Sequence, residues 1–397
     1  MYHGTIAGTI RFETMSSSKK EGRAQARPLK YRRIVAKFGT NVLTAGTDRL
    51  NVALMRSLAK QVAALHMQGA DVIVVTSGAI AAGRHRLGLA KDRKDIPFRQ
   101  VLAAIGQSDL MQAYQELFAK HGITIAQTLL TRRDLADRVG YLNARNTLLA
   151  MLELRVVPIV NENDVVAVEE IEGAKIGDND NLSAYVANLI DADLLAILTD
   201  TGGLYTADPR THPAAELIPR VDAIDGQIEA LAGGTRGLGV GGMLTKVQAA
   251  RLATGGGTDV YIAPGREPET LTKLAHGEAV GTYFPAGVSR MESRKRWMLA
   301  ALSVKGDIVV DDGAAKVLRE KRSSLLPAGV RDVEGAFQRG ETVAIVDGHG
   351  RRIACGITNY SSDEILRIRG LRSDRIEEVL GHHYGSEVLH RNNMVLL

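Results

Sequence analysis

The 397-residue sequence predicts an α/β protein in two parts, a parallel-sheet αβα sandwich followed by a small β-rich barrel or sandwich. Three observations predict it. Short runs of Val, Ile, Leu and Ala alternate with segments of helical period through the first 285 residues. Polar sequences follow directly on those runs. After Phe284 the pattern changes to short strand-like runs broken by close turns.

Tyr31–Phe38 reads as the first strand and stops at Gly39. Asn51–Gly69 has helical spacing through Leu54, Leu58, Val62 and Leu65 and ends on glycine. Asp71–Val75 is a short β-branched run of the kind found in buried parallel strands, and it empties into Thr76-Ser77-Gly78-Ala79. Ile105–His121 reads as helix, Ile123–Leu130 as strand, Asn143–Leu154 as helix and Val156–Val160 as strand. That last strand opens into Asn161-Glu162-Asn163-Asp164. Leu182–Ile190 reads as helix, and Leu194–Leu198 as a strand opening into Thr199-Asp200. Met243–Ala253 reads as helix and Val260–Ala263 as strand. In a parallel sheet covered on both faces, ligands sit beyond the carboxyl ends of the strands. The polar sequences after the strands are therefore expected to converge on one edge. Beyond the charged connector Glu292–Trp297, the runs Asp307–Val310, Glu341–Val346 and Arg352–Thr358 predict the β-rich unit. The organisation expected is a basic tail over residues 1–30, the αβα unit over 31–285, a linker over 286–300 and the β-rich unit over 301–397.

Hydrophobic residues make up 45% and charged residues 24%, ordinary values for a globular protein, and the length exceeds what a single core serves. The one cysteine, Cys355, excludes an internal disulfide, argues against a metal cluster or Cys-based redox site, and fits a reducing cytoplasm. No run approaches ~20 apolar residues, so no membrane span is expected. The net charge is +5, but residues 1–33 hold eight Lys and Arg against Glu13 and Glu21, a net of +6. The rest of the chain carries −1, so a pI of about 9.2 is no sign of a nucleic-acid groove on the folded body. The tail is Ser-, Lys- and Arg-rich with few apolar residues after Phe12 and reads as unstructured. It lacks the continuous apolar core of a secretory signal.

Several motifs carry chemistry. Lys37 precedes Phe38-Gly39-Thr40 at the end of the first strand, where glycine lets the backbone approach an anion. Taken alone, it fits an edge lysine beside a turn equally well. Thr76-Ser77-Gly78-Ala79 leaves N–H groups at a helix start for a carboxylate or phosphate, although a tight strand-to-helix connection explains it too. Asn161–Asp164 places four polar residues after a buried strand, where amides offer donors and acceptors and a carboxylate can hold an ammonium group. Gly177-Asp178-Asn179-Asp180-Asn181 precedes a helix, with Asp180 or Asn181 as a fitting N-cap. Capping accounts for one side chain of the run. Neither P-loop nor EF-hand spacing is present, so no dedicated metal cage is expected. Gly203-Leu204-Tyr205-Thr206-Ala207-Asp208-Pro209 is a turn-rich loop suited to a base or ribose. Gly237, Gly239 and Gly242 match a dinucleotide fingerprint only in form, because no strand precedes them. A glycine loop running into a helix that bears Lys246 better suits nucleotide phosphates.

In this order, Lys37-x-Gly39-Thr40, Thr76–Ala79, Asn161–Asp164, Gly177–Asn181, Thr199-Asp200, Gly203–Pro209 and Gly241-Gly242-Met243-x-Thr245-Lys246 resemble the amino-acid kinase family over about residues 33–285. Ser323–Val330 and Phe337-x-Arg339-Gly340-Glu341 resemble a PUA domain, a pairing typical of bacterial members that phosphorylate free glutamate. The resemblance implies ATP-dependent phosphorylation of the L-glutamate side-chain carboxylate, the first step of proline biosynthesis. It implies that Lys37 and Lys246 stabilise the transferring phosphoryl group and that Asp180 holds those lysines. Ser77, Asp164 and Asn179 would bind glutamate. Lys37, Thr199, Asp200, Val240, Gly241, Gly242, Met243, Leu244, Thr245 and Lys246 would bind ATP, with Mg²⁺ arriving on the nucleotide. A homo-oligomer and proline as feedback inhibitor are implied likewise. Aspartate, acetylglutamate and UMP are the acceptors of related enzymes; Asp164 favours an acceptor with a free α-amine. PUA domains elsewhere bind RNA, but residues 294–397 hold seventeen Lys and Arg against fourteen acids, a net of only +3, which argues for weak RNA binding at most.

Overall fold

The computed structural model describes residues 27–89, 95–167, 179–233, 242–287, 304–321 and 323–397. The expectations for residues 1–26, for Gly177, Asp178, Gly237, Gly239, Val240 and Gly241, and for most of the linker lie outside them.

The order in the first unit is β1 (Arg33–Phe38), α1 (Thr40–Leu43), α2 (Val52–Met67), β2 (Asp71–Val75), α3 (Ala79–Arg86), α4 (Ile96–Ala119) and β3 (Ile125–Leu130). There follow α5 (Arg132–Ala136), α6 (Arg138–Glu153), β4 (Val157–Glu162), α7 (Asn179–Leu189), β5 (Leu194–Thr199), α8 (Gly226–Gly233), α9 (Met243–Gly255), β6 (Asp259–Pro264), α10 (Thr270–Ala275) and β7 (Thr282–Phe284). The seven strands form one sheet in the order β3-β4-β2-β1-β5-β6-β7. All neighbours are parallel except β6 and β7. The chain starts in the middle at β1, fills one side with β2, β3 and β4, then crosses to β5. The change of direction falls at β1, and that is where an open parallel sheet offers a crevice.

Alternation along β1 sends Ile34, Ala36 and Phe38 to one apolar layer and Val35 to the other. Lys37 points to the side of Val35, the layer that α7 and α9 build with Ala184, Ala187, Val247 and Ala250. α2 is capped by the Asn51 side chain, which accepts from the Leu54 N–H at 3.0 Å, and it buries Met55, Leu58, Val62 and Leu65.

Two boundaries beside the cleft differ from the sequence reading. β4 runs on to Glu162, so Asn161 and Glu162 are strand residues paired with Leu129 and Leu130 on β3. α7 begins at Asn179, so Asp180 and Asn181 lie inside it and neither caps it. Tertiary partners explain both. An Asn-Glu pair at a strand end is unfavourable by local preference alone, and the Asp180 side chain is turned inward to the lysines. α4 starts nine residues earlier than read, because apolar residues lie all around it and leave no period to detect. Its outer end is capped by Asp95.

The second unit is a separate five-stranded sheet in the order β12-β11-β10-β8-β9. Its strands are β8 (Gly306–Val310), β9 (Val330–Gly335), β10 (Thr342–Val346), β11 (Arg352–Ile357) and β12 (Met394–Leu396). Only β8 and β10 pair parallel. The helices Asp312–Lys321, Ser362–Ile368 and Ile376–Leu380, absent from the sequence reading, supply Leu318, Ile365, Ile368 and Ile376 to its core.

α3 and α4 touch backbone to backbone. A Cβ on Gly106 would lie 1.8 Å from the Ala79 carbonyl oxygen, and one on Gly83 would lie 2.0 Å from that of Leu102. Gly106→Ala is expected to cost about 3 kcal/mol, read from a urea midpoint, because the clash is with main chain. Gly226→Ala, with open space around the added carbon, should stay within about 1 kcal/mol. Equal effects of the two would contradict this packing.

Candidate active site

The carboxyl ends of β4, β2, β1 and β5 open onto a cleft of about 420 Å³. Its wall includes Lys37, Ser77, Asn161, Asp164, Asn179, Asp180, Thr199, Asp200 and Lys246. The convergence expected from the topology is therefore present. Sequences as far apart as Gly39 and Lys246 meet here.

At its centre is a trio of charges. Lys37 Nζ lies 2.5 Å from Asp180 Oδ1, and Lys246 Nζ lies 3.2 Å from Asp180 Oδ2. Thr245 Oγ1 stands 2.7 Å from the same Oδ2. Each member comes from a different element: Lys37 from β1, Asp180 from the first turn of α7, and Thr245 and Lys246 from the first turn of α9. All three charged groups are buried. Burial by itself would raise the Asp180 pKa. Lys37, Lys246 and the Thr245 hydroxyl outweigh it and hold the carboxyl well below the usual carboxylate range. Two lysines on one aspartate leave a surplus positive charge beside the cleft.

On the β2–β4 side, Asn179 Nδ2 donates to Ser77 Oγ at 3.2 Å, and Asn161 Nδ2 donates to Gln107 Oε1 at 2.8 Å. The Thr76 hydroxyl meets the buried Tyr114 hydroxyl at 2.8 Å. Gln107 and Tyr114 stand two turns apart on α4, so that helix fixes the ends of both strands. Gly78, at φ 100°, makes the turn into α3 that a side chain would oppose. On the β5 side, Asn41 Nδ2 donates to Asp200 Oδ2 at 3.0 Å, and Arg266 Nη2 donates to the Asn41 carbonyl at 3.0 Å. Burial acts to raise the Asp200 pKa; the bonds from Asn41 and Thr199 turn the net shift downward.

Some candidates lie beside the cleft and not in its wall. Gly242, Met243 and Leu244 form the start of α9. Gly203–Pro209 is outside the wall as well: Leu204 N–H bonds to Thr282, and Asp208 is held by Arg210 at 3.0 Å. Other wall residues were not singled out in the sequence, among them Asp48, Arg84 and Arg99. Asn41, which follows Gly39-Thr40 at the end of the first strand, is in the wall as the convergence of strand-end polar residues requires. The arginines sit on helices, where their sequence gives no sign of facing a cleft.

Among the described residues no group of three His, Cys, Asp or Glu side chains could hold a metal ion. Asp180 is already taken up by two lysines. This donor set fits a Mg²⁺ held by nucleotide phosphates and water, not by a protein cage. Nor is any helix among the described residues long and apolar enough to cross a membrane.

A parallel sheet whose central strand end gathers two buried lysines on one aspartate beside a polar cleft fits an α/β enzyme acting on anionic substrates. Comparison with known proteins narrows this. The amino acid kinase family matches residues 32–264, and the PUA domain matches residues 306–380. The chain belongs to the amino acid kinase family. It is 55% identical to glutamate 5-kinase from Dehalococcoides mccartyi (strain CBDB1), covering 92% of this chain and 99% of the relative. The glutamate 5-kinases of Herpetosiphon aurantiacus and Deinococcus radiodurans are 53% and 51% identical, over 91% and 92% of this chain and 98% and 100% of their own. Membership of a kinase family implies use of ATP.

The depressed Asp180 pKa has a consequence for stability. Its contribution is complete above the ordinary carboxylate pKa of about 4 and is lost as pH falls toward the folded value. Asp180→Asn leaves two buried ammonium groups uncompensated and should cost about 3–5 kcal/mol near pH 7. That cost should shrink below about pH 4, measured by urea unfolding across pH. A cost that stays constant on the acid side would mean that Asp180 is not the ionised partner of the lysines.

Proposed function

We propose that this chain transfers the γ-phosphoryl group of ATP to the side-chain carboxylate of L-glutamate. One observation carries the mechanism: the Lys37–Asp180–Lys246 trio stands between the two halves of the cleft. The nucleotide lies on the β5 side, against Thr199, Asp200 and the start of α9. The amino acid lies on the β2–β4 side, against Ser77, Asp164 and Asn179. Near full-length relatives at 51–55% identity, all glutamate 5-kinases, support free glutamate as acceptor.

A γ-carboxylate oxygen attacks the γ-phosphorus. The bond from that phosphorus to the bridging oxygen breaks, and ADP leaves with the electron pair. The product is an acyl phosphate. No proton moves, because the acceptor carboxyl is ionised far below neutral pH. The site accordingly works without a general base, by alignment and by neutralising charge. Lys37 and Lys246 supply that neutralisation, and Asp180 keeps both ammonium groups in place. A Mg²⁺ ion arriving with the nucleotide would supply shielding of the phosphate charge. Asp164 holds the α-ammonium group.

Lys246→Ala should lower kcat by ~10²-fold or more with little change in the glutamate KM. Asp164→Ala should instead raise the glutamate KM by roughly 10-fold to 100-fold and leave the ATP KM unchanged. If both act on KM alone, the roles are wrongly assigned. An ADP-release assay with glutamate, aspartate, acetylglutamate and UMP tests the substrate itself. Glutamate alone should turn over; turnover of UMP without glutamate would overturn the reading.

A further inference from the structure

Arg266 stands outside the cleft wall, yet it grips the main chain of a wall residue. We propose that Arg266 and Asn41 form a brace that aims the Asp200 carboxylate at the nucleotide, which makes both of them positioning residues. The proposal rests on the β5 side as the nucleotide side, as set out above.

Asp200 follows β5 directly and lines the cleft. An ionised carboxylate only accepts hydrogen bonds, so beside a polyphosphate it is of use toward a hydroxyl or amino group and harmful toward the phosphates. Its direction therefore matters, and an aspartate carboxyl turns about its last bond with little preference. Here each oxygen has a donor. Thr199 Oγ1 reaches Oδ1 at 3.2 Å, and Asn41 Nδ2 reaches Oδ2 at 3.0 Å. Thr199 is the neighbouring residue in the chain. Asn41 comes from α1, so it is the contact that ties the carboxylate to a second element.

Asn41 is in turn fixed from the end of β6. α1 is one turn long, and its closing bonds run from Thr44 N–H to the Thr40 carbonyl at 2.9 Å and from Ala45 N–H to the Val42 carbonyl at 3.1 Å. The Asn41 carbonyl between them takes its donor from Arg266 Nη2 at 3.0 Å. Such carbonyls at a helix end need an outside partner. The chain then turns back through Ala45 and Gly46, at φ 53° and 81°, and a Cβ on Gly46 would lie 3.4 Å from the same Nη2. The neighbouring Gly265 donates its N–H to the Thr199 carbonyl at 2.7 Å, and a Cβ there would lie 2.9 Å from both Val42 methyl carbons. Gly265 and Arg266 thus fasten the residue before Asp200 and the residue that bonds to it. Both brace side chains, Asn41 and Arg266, are exposed, so replacing them leaves the apolar layers intact.

The test titrates Mg²⁺–ATP into the full chain by calorimetry, a readout that does not depend on the acceptor. Asn41→Ala should weaken ATP binding about 10-fold and Arg266→Met about 5-fold, with the glutamate KM within about 2-fold in both. Arg266→Lys, which can still donate to a carbonyl, should retain more of the affinity. Asp200→Ala should weaken ATP binding by itself, and adding Asn41→Ala or Arg266→Met to it should cost less than about 2-fold more. Asn41→Asp sets a second carboxylate against Asp200. Its ATP affinity relative to the unmodified protein should be lowest near about pH 8 and recover toward about pH 6, as the pair takes up a shared proton. Full effects of Asn41 or Arg266 in the absence of Asp200 mean that they touch the nucleotide or support only the fold, and overturn the proposal. So does an ATP affinity that Asp200→Ala leaves unchanged. Failure to phosphorylate glutamate, with ATP binding as expected, would instead overturn the function proposed above and leave the brace standing.

Discussion

The chemistry of this cleft depends on one carboxylate held between two ammonium groups. Neither lysine would stay charged and buried at a strand end without Asp180, because an isolated ammonium group loses several kcal/mol on leaving water. Asp180 in turn stays ionised only because both lysines and Thr245 face it. The three elements that carry the trio pack against one another, α7 with α9 and α7 with β1. Their relative placement is thus under electrostatic as well as apolar control.

The sheet order decides what lies on either side of that trio. Because the chain begins at the middle strand, the groups from β2 and β4 fall to one side of Lys37 and those from β5 to the other. In the function proposed above, donor and acceptor would be kept apart by a single strand, with the two lysines on the line between them. Side chains of α4 extend the same logic. Gln107 and Tyr114 hold the β4 and β2 ends from behind, so the amino-acid side is braced by one long helix.

Much of this was legible in the sequence. Buried parallel strands are short apolar runs, and each was found within about two residues of its position. The polar residues following those runs were correctly placed on one edge by topology alone. Lys37 and Lys246 were singled out by local pattern, the role of Asp180 in holding them came from family resemblance, and their mutual contacts came only from the coordinates. What local pattern missed has physical causes. Asp180 was read as a fitting cap because Asp at a helix start usually is one; here its side chain turns inward to lysines 143 and 66 residues away in the chain. Asn161 looked like loop because an amide is a poor strand former, yet Gln107 satisfies it in place. α4 hid its beginning because its apolar and polar residues are spread around it without a helical stripe. Arg84 and Arg99 carry no local signal, since a surface-facing and a cleft-facing arginine on a helix look alike in sequence.

The trio also has a sign. Two positive groups and one negative leave a fixed surplus of +1 at the bottom of an open cleft, whether or not substrate is present. Such a spot has a standing attraction for any small oxyanion, not only for the phosphoryl group it serves. Inorganic phosphate or sulfate would compete for it, so the buffer anion would affect how readily the enzyme meets ATP.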